Sequence, residues 1–372
     1  MNASLNEKLR NVKWGEYKLG TLFDIKNTLS FNTDKLVAGT EYDYVTRTSI
    51  NQGILQTTGF INEENCNESG TWSLGLLSMD FFYRHNRWYA GQFVRKVKPK
   101  ILIPEKAVPF FSAILNKQKP ILLSVLVRNV DETFKKIPIE LPITSEGKID
   151  FDFMEAFIAE LEAERVAELS AYLTVSGLDN YELSSDEMTM IERYKEQQIP
   201  FSEFEFIKIF NNIKQGRRLK KDDQLSGNIP FVMSGTTNTG VVGYISNPVA
   251  QFPKNSITVD IFGNSFFRNY DFGAGDDTGG YWNTEKEYSK TCMLFFTAAM
   301  EKALQGKYSY GKKLRSSQSL HFKMQLPTKD GKPDYDTMAT LISAVQKLVI
   351  KDVVLYADRK IEKTKEVTRD DG

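Results

Sequence analysis

Residues 44–54 read YVTRTSINQGI, and residues 231–241 read FVMSGTTNTGV. Each is a short run of β-branched or aromatic residues, then a cluster of hydroxyl and amide side chains, then a glycine. That is the pattern of a strand entering a polar turn. The two stretches are offset by 187 residues, and other segments keep nearly the same step. EYKLGTLFDI from Glu16 finds a partner in EFEFIKIFNN from Glu203, and TWSLG from Thr71 in SITVD from Ser256. Phe81-Phe82 match Phe266-Phe267, Gly91 matches Gly275, and GKIDFDFM from Gly147 matches GKPDYDTM from Gly331. An offset that drifts only from 187 to 184 across the chain identifies a tandem duplication.

Each repeat has a strand-rich first part and a helical second part. Residues near 15–145 and 202–328 mix short strand-like runs with glycine and asparagine turns, an α+β composition. Met154, Phe157, Ile158, Leu161, Leu169 and Leu173 then recur at helical spacing, as do Met338, Leu341, Ile342, Val345, Val349, Val353 and Tyr356. Asp150 and Asp334 stand at the expected N-caps, and SSDE near Ser185 resembles a capping box for a shorter helix after Gly177. A helix of about 24 residues spans about 36 Å, long enough to act as a spacer. The expectation is an antiparallel pairing of the two long helices; the alternative is that each covers its own sheet. The predicted boundaries are 1–149 for the first domain, 150–200 for a helical spacer and linker, 201–332 for the second domain, and 333–372 for a second helical spacer with a C-terminal tail.

Charge is balanced, 48 basic against 48 acidic residues, so a general nucleic-acid coat is not indicated. Its distribution is uneven. Residues 84–100 carry six Lys or Arg and no acid, and residues 208–221 carry another six with none. Two distant cysteines, Cys66 and Cys292, give neither a disulfide framework nor a zinc site, and no long apolar run suggests a membrane span. With no secretory signal at the N-terminus, the expected location is the cytoplasm. No P-loop, no GxSxG elbow and no Asn-Pro-Pro-Tyr or Asp-Pro-Pro-Tyr tetrapeptide of an amino-methyltransferase is present. His85 and His321 lack metal-ligating company, and GAGDDTGG at 273–280 reads as a turn-rich loop. The chain therefore reads as a binder rather than a catalyst.

Duplicated domains carrying arginine, hydroxyl and amide side chains suit the reading of base edges, with basic residues on phosphates. At this point whole blocks resemble a known family. WGEYKLGTLFDI, YVTRTSINQGI, FYRHNRWYAGQFVRKVKPK and IPIELPITSEGKIDFDFMEAFIAELEAERVAEL are similar to the specificity subunits of restriction–modification systems. In the second half IPFVMSGTTNTGVVGYISN and YSYGKKLRSSQSLHFKMQLP continue the likeness. Type I specificity subunits are the nearest class, with related type IIB subunits beside them. The resemblance implies a tandem, pseudo-symmetric pair of α/β target recognition domains joined by long antiparallel spacer helices. It implies double-stranded DNA as ligand and modification (methyltransferase) subunits as partners, with restriction subunits as further ones. It places S-adenosylmethionine, and beyond it ATP and Mg, in those partners and no cofactor, metal or catalytic residue in this chain. YSYGKKL has no clear counterpart in the first repeat, so contacts are not copied between domains.

The DNA-binding candidates in the first domain are Arg47, Thr48 and Asn51 for bases, with Arg84, Arg87 and Arg95 near phosphates or bases. In the second they are Thr236, Thr237 and Asn238 for bases, with Arg268, Lys312, Lys313 and Arg315 near phosphates or bases. Met154, Phe157, Ile158, Leu161, Met338, Leu341, Ile342 and Val345 are the candidates on subunit-docking helices. A competing reading makes Thr46, Thr48 and Thr236 hydroxyls that satisfy their own turn. Polar positions shared by both repeats are the better structural candidates, and those that differ the better specificity candidates. Two other functions stay open: a duplicated adaptor that binds proteins, and a self-contained nuclease or methyltransferase with degenerate motifs.

Overall fold

TWSLG (Thr71–Gly75) and SITVD (Ser256–Asp260) are buried at every position, which only a strand covered on both faces allows. A computed structural model describes residues 3–370. The elements begin with α1 (Ala3–Asn11), β1 (Trp14–Lys18), α2 (Leu19–Leu22), β2 (Phe23–Asn27), β3 (Tyr42–Val45), β4 (Ile54–Thr58), β5 (Thr71–Gly75), β6 (Asp80–Arg84), β7 (Trp88–Ala90) and β8 (Val94–Pro99). They continue with α3 (Val108–Lys117), α4 (Lys119–Leu123), α5 (Val130–Lys136), β9 (Pro138–Pro142), α6 (Phe151–Val175) and α7 (Ser185–Lys195). The second repeat holds β10 (Phe201–Glu205), α8 (Phe206–Ile209), β11 (Asn212–Gln215), β12 (Ser226–Val232), β13 (Val241–Ile245), β14 (Gln251–Phe252), β15 (Ser256–Asp260) and β16 (Ser265–Arg268). It ends with β17 (Phe272–Ala274), β18 (Thr278–Trp282), α9 (Lys290–Leu304), β19 (Lys323–Lys329), β20 (Lys332–Pro333) and α10 (Tyr335–Asp370).

The duplication is visible in the strand orders. One antiparallel sheet runs β2-β8-β5-β6 in the first repeat and β11-β18-β15-β16 in the second. A further sheet runs β4-β3-β7 and, with one added strand, β13-β12-β17-β14. Within it a parallel pair sets Val45 beside Ala90 and Val232 beside Ala274, so equivalent residues keep equivalent registers. Trp72 centres the first core, edge-on to Phe23 at 5.6 Å and to Tyr83 at 4.7 Å. Its indole N–H donates to Ser112 Oγ at 2.8 Å, satisfying the one polar atom that burial would strand. In the second core Tyr281 does the same through its hydroxyl, 2.7 Å from Ser319 Oγ.

The chain divides into two units, one taking in the residues through Leu169 with those from Lys360 on, the other Ser170–Arg359. This division falls inside α6 and α10 rather than at their N-termini. The caps are where the sequence puts them: Asp150 Oδ1 accepts from Phe153 N–H at 2.9 Å, and Asp334 Oδ1 from Thr337 N–H at 3.1 Å. Leu178 N–H returns to the Leu173 carbonyl at 2.8 Å across Gly177, whose φ of +63° ends α6 in a glycine cap. α10 continues to Asp370; positions 371 and 372 of the expected tail lie outside the described residues. Burial corrects part of the docking set. Met154, Phe157, Met338 and Leu341 are core residues of their own units, while Ile158 and Leu161 pack partly buried against the first core. Ile342 is half-buried, and among the described residues of α10 the large exposed apolar ones are Val345, Leu348, Val349, Val353 and Tyr356.

Candidate nucleic-acid interface

In both repeats the polar stretch leaves its strand and closes in a left-handed turn. Asn51, Gln52 and Gly53 have φ of 48°, 53° and 80°; Asn238, Thr239 and Gly240 have 47°, 51° and 84°. Glycine adopts this conformation freely and asparagine tolerates it, but glutamine and β-branched threonine enter it at a cost. Thr46 N–H bonds the Gly53 carbonyl at 2.8 Å, and Met233 N–H bonds the Gly240 carbonyl at 2.9 Å, closing the loops alike.

A buried arginine reaches each turn from the sheet. Arg84, at 1% exposure, donates from Nε to Ser73 Oγ at 2.9 Å and from Nη2 to the Gln52 carbonyl at 2.5 Å. Arg268, also 1% exposed, donates from Nε to Thr258 Oγ1 at 3.1 Å and from Nη2 to the Thr239 carbonyl at 2.5 Å. Its Nη1 adds bonds to Thr239 Oγ1 and Tyr270 Oη, both 3.0 Å. Burial pulls Arg84 down to about 10, opposed by the nearby Asp43 carboxylate, so it stays protonated at neutral pH. Burial lowers Arg268 as well, with Tyr270 opposing. Neither side chain has surface to offer DNA, which corrects their placement among the contact candidates. Asn51 and Asn238 are exposed, yet each spends its amide on its own turn, on the Ile54 carbonyl at 3.2 Å and the Val241 carbonyl at 3.3 Å.

What remains outward in the first domain is Arg47, exposed beside the Phe93 ring at 5.1 Å. Thr48 Oγ1 accepts from Ile50 N–H at 3.2 Å, the turn-satisfying role named as its alternative. Ser49 donates to Asp80, and Lys119 Nζ lies 2.5 Å from the other Asp80 oxygen. Ile50, Leu77 and Phe93 stand exposed around this loop, at 79%, 70% and 53%. The basic run that suggested a phosphate surface here is consumed by ion pairs. Arg87 pairs with Glu63, Arg95 with Asp131 at 2.9 Å, Lys96 and Lys98 with Glu68, and Lys100 with Asp24. Arg87 and Arg95 are thus held by neighbouring acids that the sequence places 24 and 36 residues away.

The second domain brings its candidates together. Thr236, Thr237 and Asn238 are exposed, and among the described residues the two threonine hydroxyls make no protein hydrogen bond. Asp260 ties this loop to the β15–β16 turn through Gly235 N–H and the Ser234 hydroxyl, each 3.1 Å. Next along, the Ile261 carbonyl accepts from Leu314 N–H at 2.9 Å, and Arg315 Nη1 donates to the Asp276 carbonyl at 2.5 Å. Lys312 and Lys313 sit on a tight hairpin closed by Ser309 and Lys312, with Tyr310 exposed at 83% near its tip. Sequence reading named no individual residue from the other basic run. Arg217 N–H bonds the Ala274 carbonyl at 3.0 Å, on the strand paired with β12, and Arg218, Lys220 and Lys221 follow it in the chain. All four are exposed, and among the described residues none forms an ion pair. The signal was the run itself, free of acids until Asp222.

Among the described residues no group of acids, histidines and cysteines could hold a metal, and no helix is long and apolar enough to cross a membrane. The profile of the type I restriction modification DNA specificity domain matches residues 11–171 and again residues 202–354. The chain is 25% identical over 253 residues, 63% of its length and 69% of the relative's, to the type II restriction enzyme BgcI specificity subunit S.BcgI of Heyndrickxia coagulans. Its fold is similar to that of the S subunit of a type I restriction-modification system from M. genitalium, with TM-score 0.52 and 14% identity, covering 96% of this chain and 94% of that one.

Proposed function

This chain belongs to the type I restriction modification DNA specificity family and is a specificity subunit of a restriction-modification system, the premise from which we propose that each domain reads one part of a bipartite double-stranded site. The observation that carries this reading is the twice-built loop. Its left-handed turn and buried arginine are shared, while the side chains before the turn differ: Arg47-Thr48-Ser49-Ile50 against Ser234-Gly235-Thr236-Thr237. A common frame with different hydrogen-bonding groups suits two half-sites of different sequence. The exposed lysines and arginines of the second domain bind phosphates and set register.

The family supplies DNA recognition and is not itself the catalyst. On our reading the partner methyltransferase subunits bring S-adenosylmethionine and methylate adenine N6, and restriction subunits bring ATP and Mg. Helices α6 and α10 serve as the spacers that fix the gap, and the exposed apolar positions of α10 contribute to docking the partners. The work is done in the cytoplasm, where the host DNA lies. Sequencing the methylated adenines of a host carrying the system tests this. A discontinuous motif with a fixed gap is expected, and a continuous motif or none would overturn it.

A second reading is supported by the relative named as a type II enzyme's specificity subunit. In it a single partner chain both methylates and cuts, as in type IIB assemblies. The subunit composition of the complex purified from its host separates the two: one partner species for this reading, two for the type I assembly.

A further inference from the structure

We propose that Arg84 and Arg268 are positioning residues, each fixing from inside its sheet the left-handed turn that presents the reading side chains of its own domain. The inference rests on the specificity reading above and adds to it that recognition of each half-site depends on an arginine that never touches DNA.

Three observations carry it. First, the arrangement is built twice from unlike sequences. The arginine closes strand β6 or β16, its Nε is held by a hydroxyl of the neighbouring strand, Ser73 or Thr258, and its Nη2 takes the carbonyl of the second left-handed residue, Gln52 or Thr239. Second, that residue is not glycine in either copy, so the turn is not one the local chain adopts unaided; a contact from outside must hold it. Third, both guanidinium groups are buried and, among the described residues, neither forms an ion pair, the Asp43 carboxylate acting on Arg84 only from a distance. A buried cation kept for packing alone is poorly matched to such a place, since an apolar side chain of similar volume would cost less desolvation. A flat group with several fixed donors is what joins a strand hydroxyl to a loop carbonyl. Arg47 and Thr48 on one side, and Thr236 and Thr237 on the other, lie within five residues of the carbonyl that is held.

Lysine keeps the charge but cannot span both acceptors, so Arg84→Lys and Arg268→Lys isolate the geometry. The full chain, in the complex purified from its host, is used to select from a duplex pool randomised across both half-sites, with urea unfolding in parallel. Arg84→Lys is expected to lose about tenfold in base discrimination in one half of the motif only, and Arg268→Lys in the other half only, with overall affinity for random duplex unchanged. Retention of both halves overturns the proposal. So does equal loss in both halves together with a fallen unfolding midpoint, which marks a merely structural role. Should either lysine variant fail to fold, Ser73→Ala and Thr258→Val remove only the hydroxyl that orients the guanidinium. They are expected to blur the same halves, and an intact motif in both overturns the proposal. If the unaltered complex enriches no motif, the specificity reading itself fails and this inference falls with it.

Discussion

Gly235 is tied to Asp260: its backbone N–H donates to Asp260 Oδ2 at 3.1 Å. The same oxygen receives the Ser234 hydroxyl and the Asn264 amide, and Oδ1 receives the N–H groups of Phe262 and Asn264. One carboxylate at 4% exposure therefore joins the loop that carries Thr236 and Thr237 to the β15–β16 turn. Asp260→Ala leaves these donors without a partner and is expected to lower unfolding free energy by about 2–4 kcal/mol. Asp260→Asn, which keeps one acceptor oxygen, is expected to fall between. Urea denaturation measures both, and equal midpoints for Asp260→Ala and the unaltered chain would show that the loop stands without this tether.

The first domain solves the same problem differently, because Gly75 occupies the position equivalent to Asp260. A Cβ at Gly75 would lie 3.0 Å from Arg47 Cα, so the loop backbone packs directly on the strand. Arg47→Ala is expected to weaken specific DNA binding by about 1–3 kcal/mol, typical of a lost base contact, and to leave affinity for random duplex unchanged. Gly75→Ala should move the same loop without removing any reading group, and so reduce discrimination while Arg47 is still present. A gel-shift series over duplexes substituted one base pair at a time reads both. Unchanged base preference in Arg47→Ala would remove that residue from the reading set.

The repeat, the strand-rich domains, the two long helices and their aspartate caps were legible because periodicity and capping are local properties of a chain. The candidate interface was less so, because it depends on pairings across the sheet. Arg84 and Arg268 carry a charge that sequence reading sends to the surface, yet a neighbouring strand supplies Ser73 and Thr258 to receive them inside. The run from Arg84 to Lys100 looked like a phosphate surface because its acids are distant in sequence and adjacent in space. GAGDDTGG read as a turn-rich loop, and residues 275–277 are one, but Gly273 lies in β17 and Gly279 and Gly280 in β18, where a Cβ at Gly280 would meet the Phe252 ring at 2.4 Å. Asn51 and Asn238 were named as base-reading candidates although they are a shared polar position, and each bonds its own turn.

Unpaired positive charge is unequal between the domains, and salt dependence should report it. Lys312 and Lys313 are exposed and free of acids, so Lys312→Gln with Lys313→Gln is expected to reduce the slope of log affinity against log salt by about 2. Lys96 and Lys98 instead hold Glu68. Burial raises that carboxyl, but their bonds, with one from its own backbone, outweigh it and bring it to about 2. Replacing those two lysines by Gln is expected to leave the slope unchanged. Equal slopes for the two double variants would place the phosphate contacts elsewhere.

Glu187 sets the last expectation, for stability against pH. Its carboxylate is the second half of the α7 capping box, receiving Ser184 N–H at 2.8 Å, and it also takes Lys347 Nζ at 2.8 Å and the Ser343 hydroxyl at 2.6 Å. Burial pushes the carboxyl up, yet these bonds prevail and hold it at about 2, below its ordinary 4.5. A depressed carboxylate contributes its stability in full above the ordinary value and loses it as pH falls through the folded one. Glu187→Gln is therefore expected to cost about 2 kcal/mol at neutral pH. Between pH 4.5 and 2 that difference from the unaltered chain should shrink, because the native glutamate becomes protonated as well. Urea midpoints collected at half-unit steps of pH measure it. A difference that stays constant over this window would mean that α7 is held to α10 by shape and neutral hydrogen bonds rather than by the charge on Glu187.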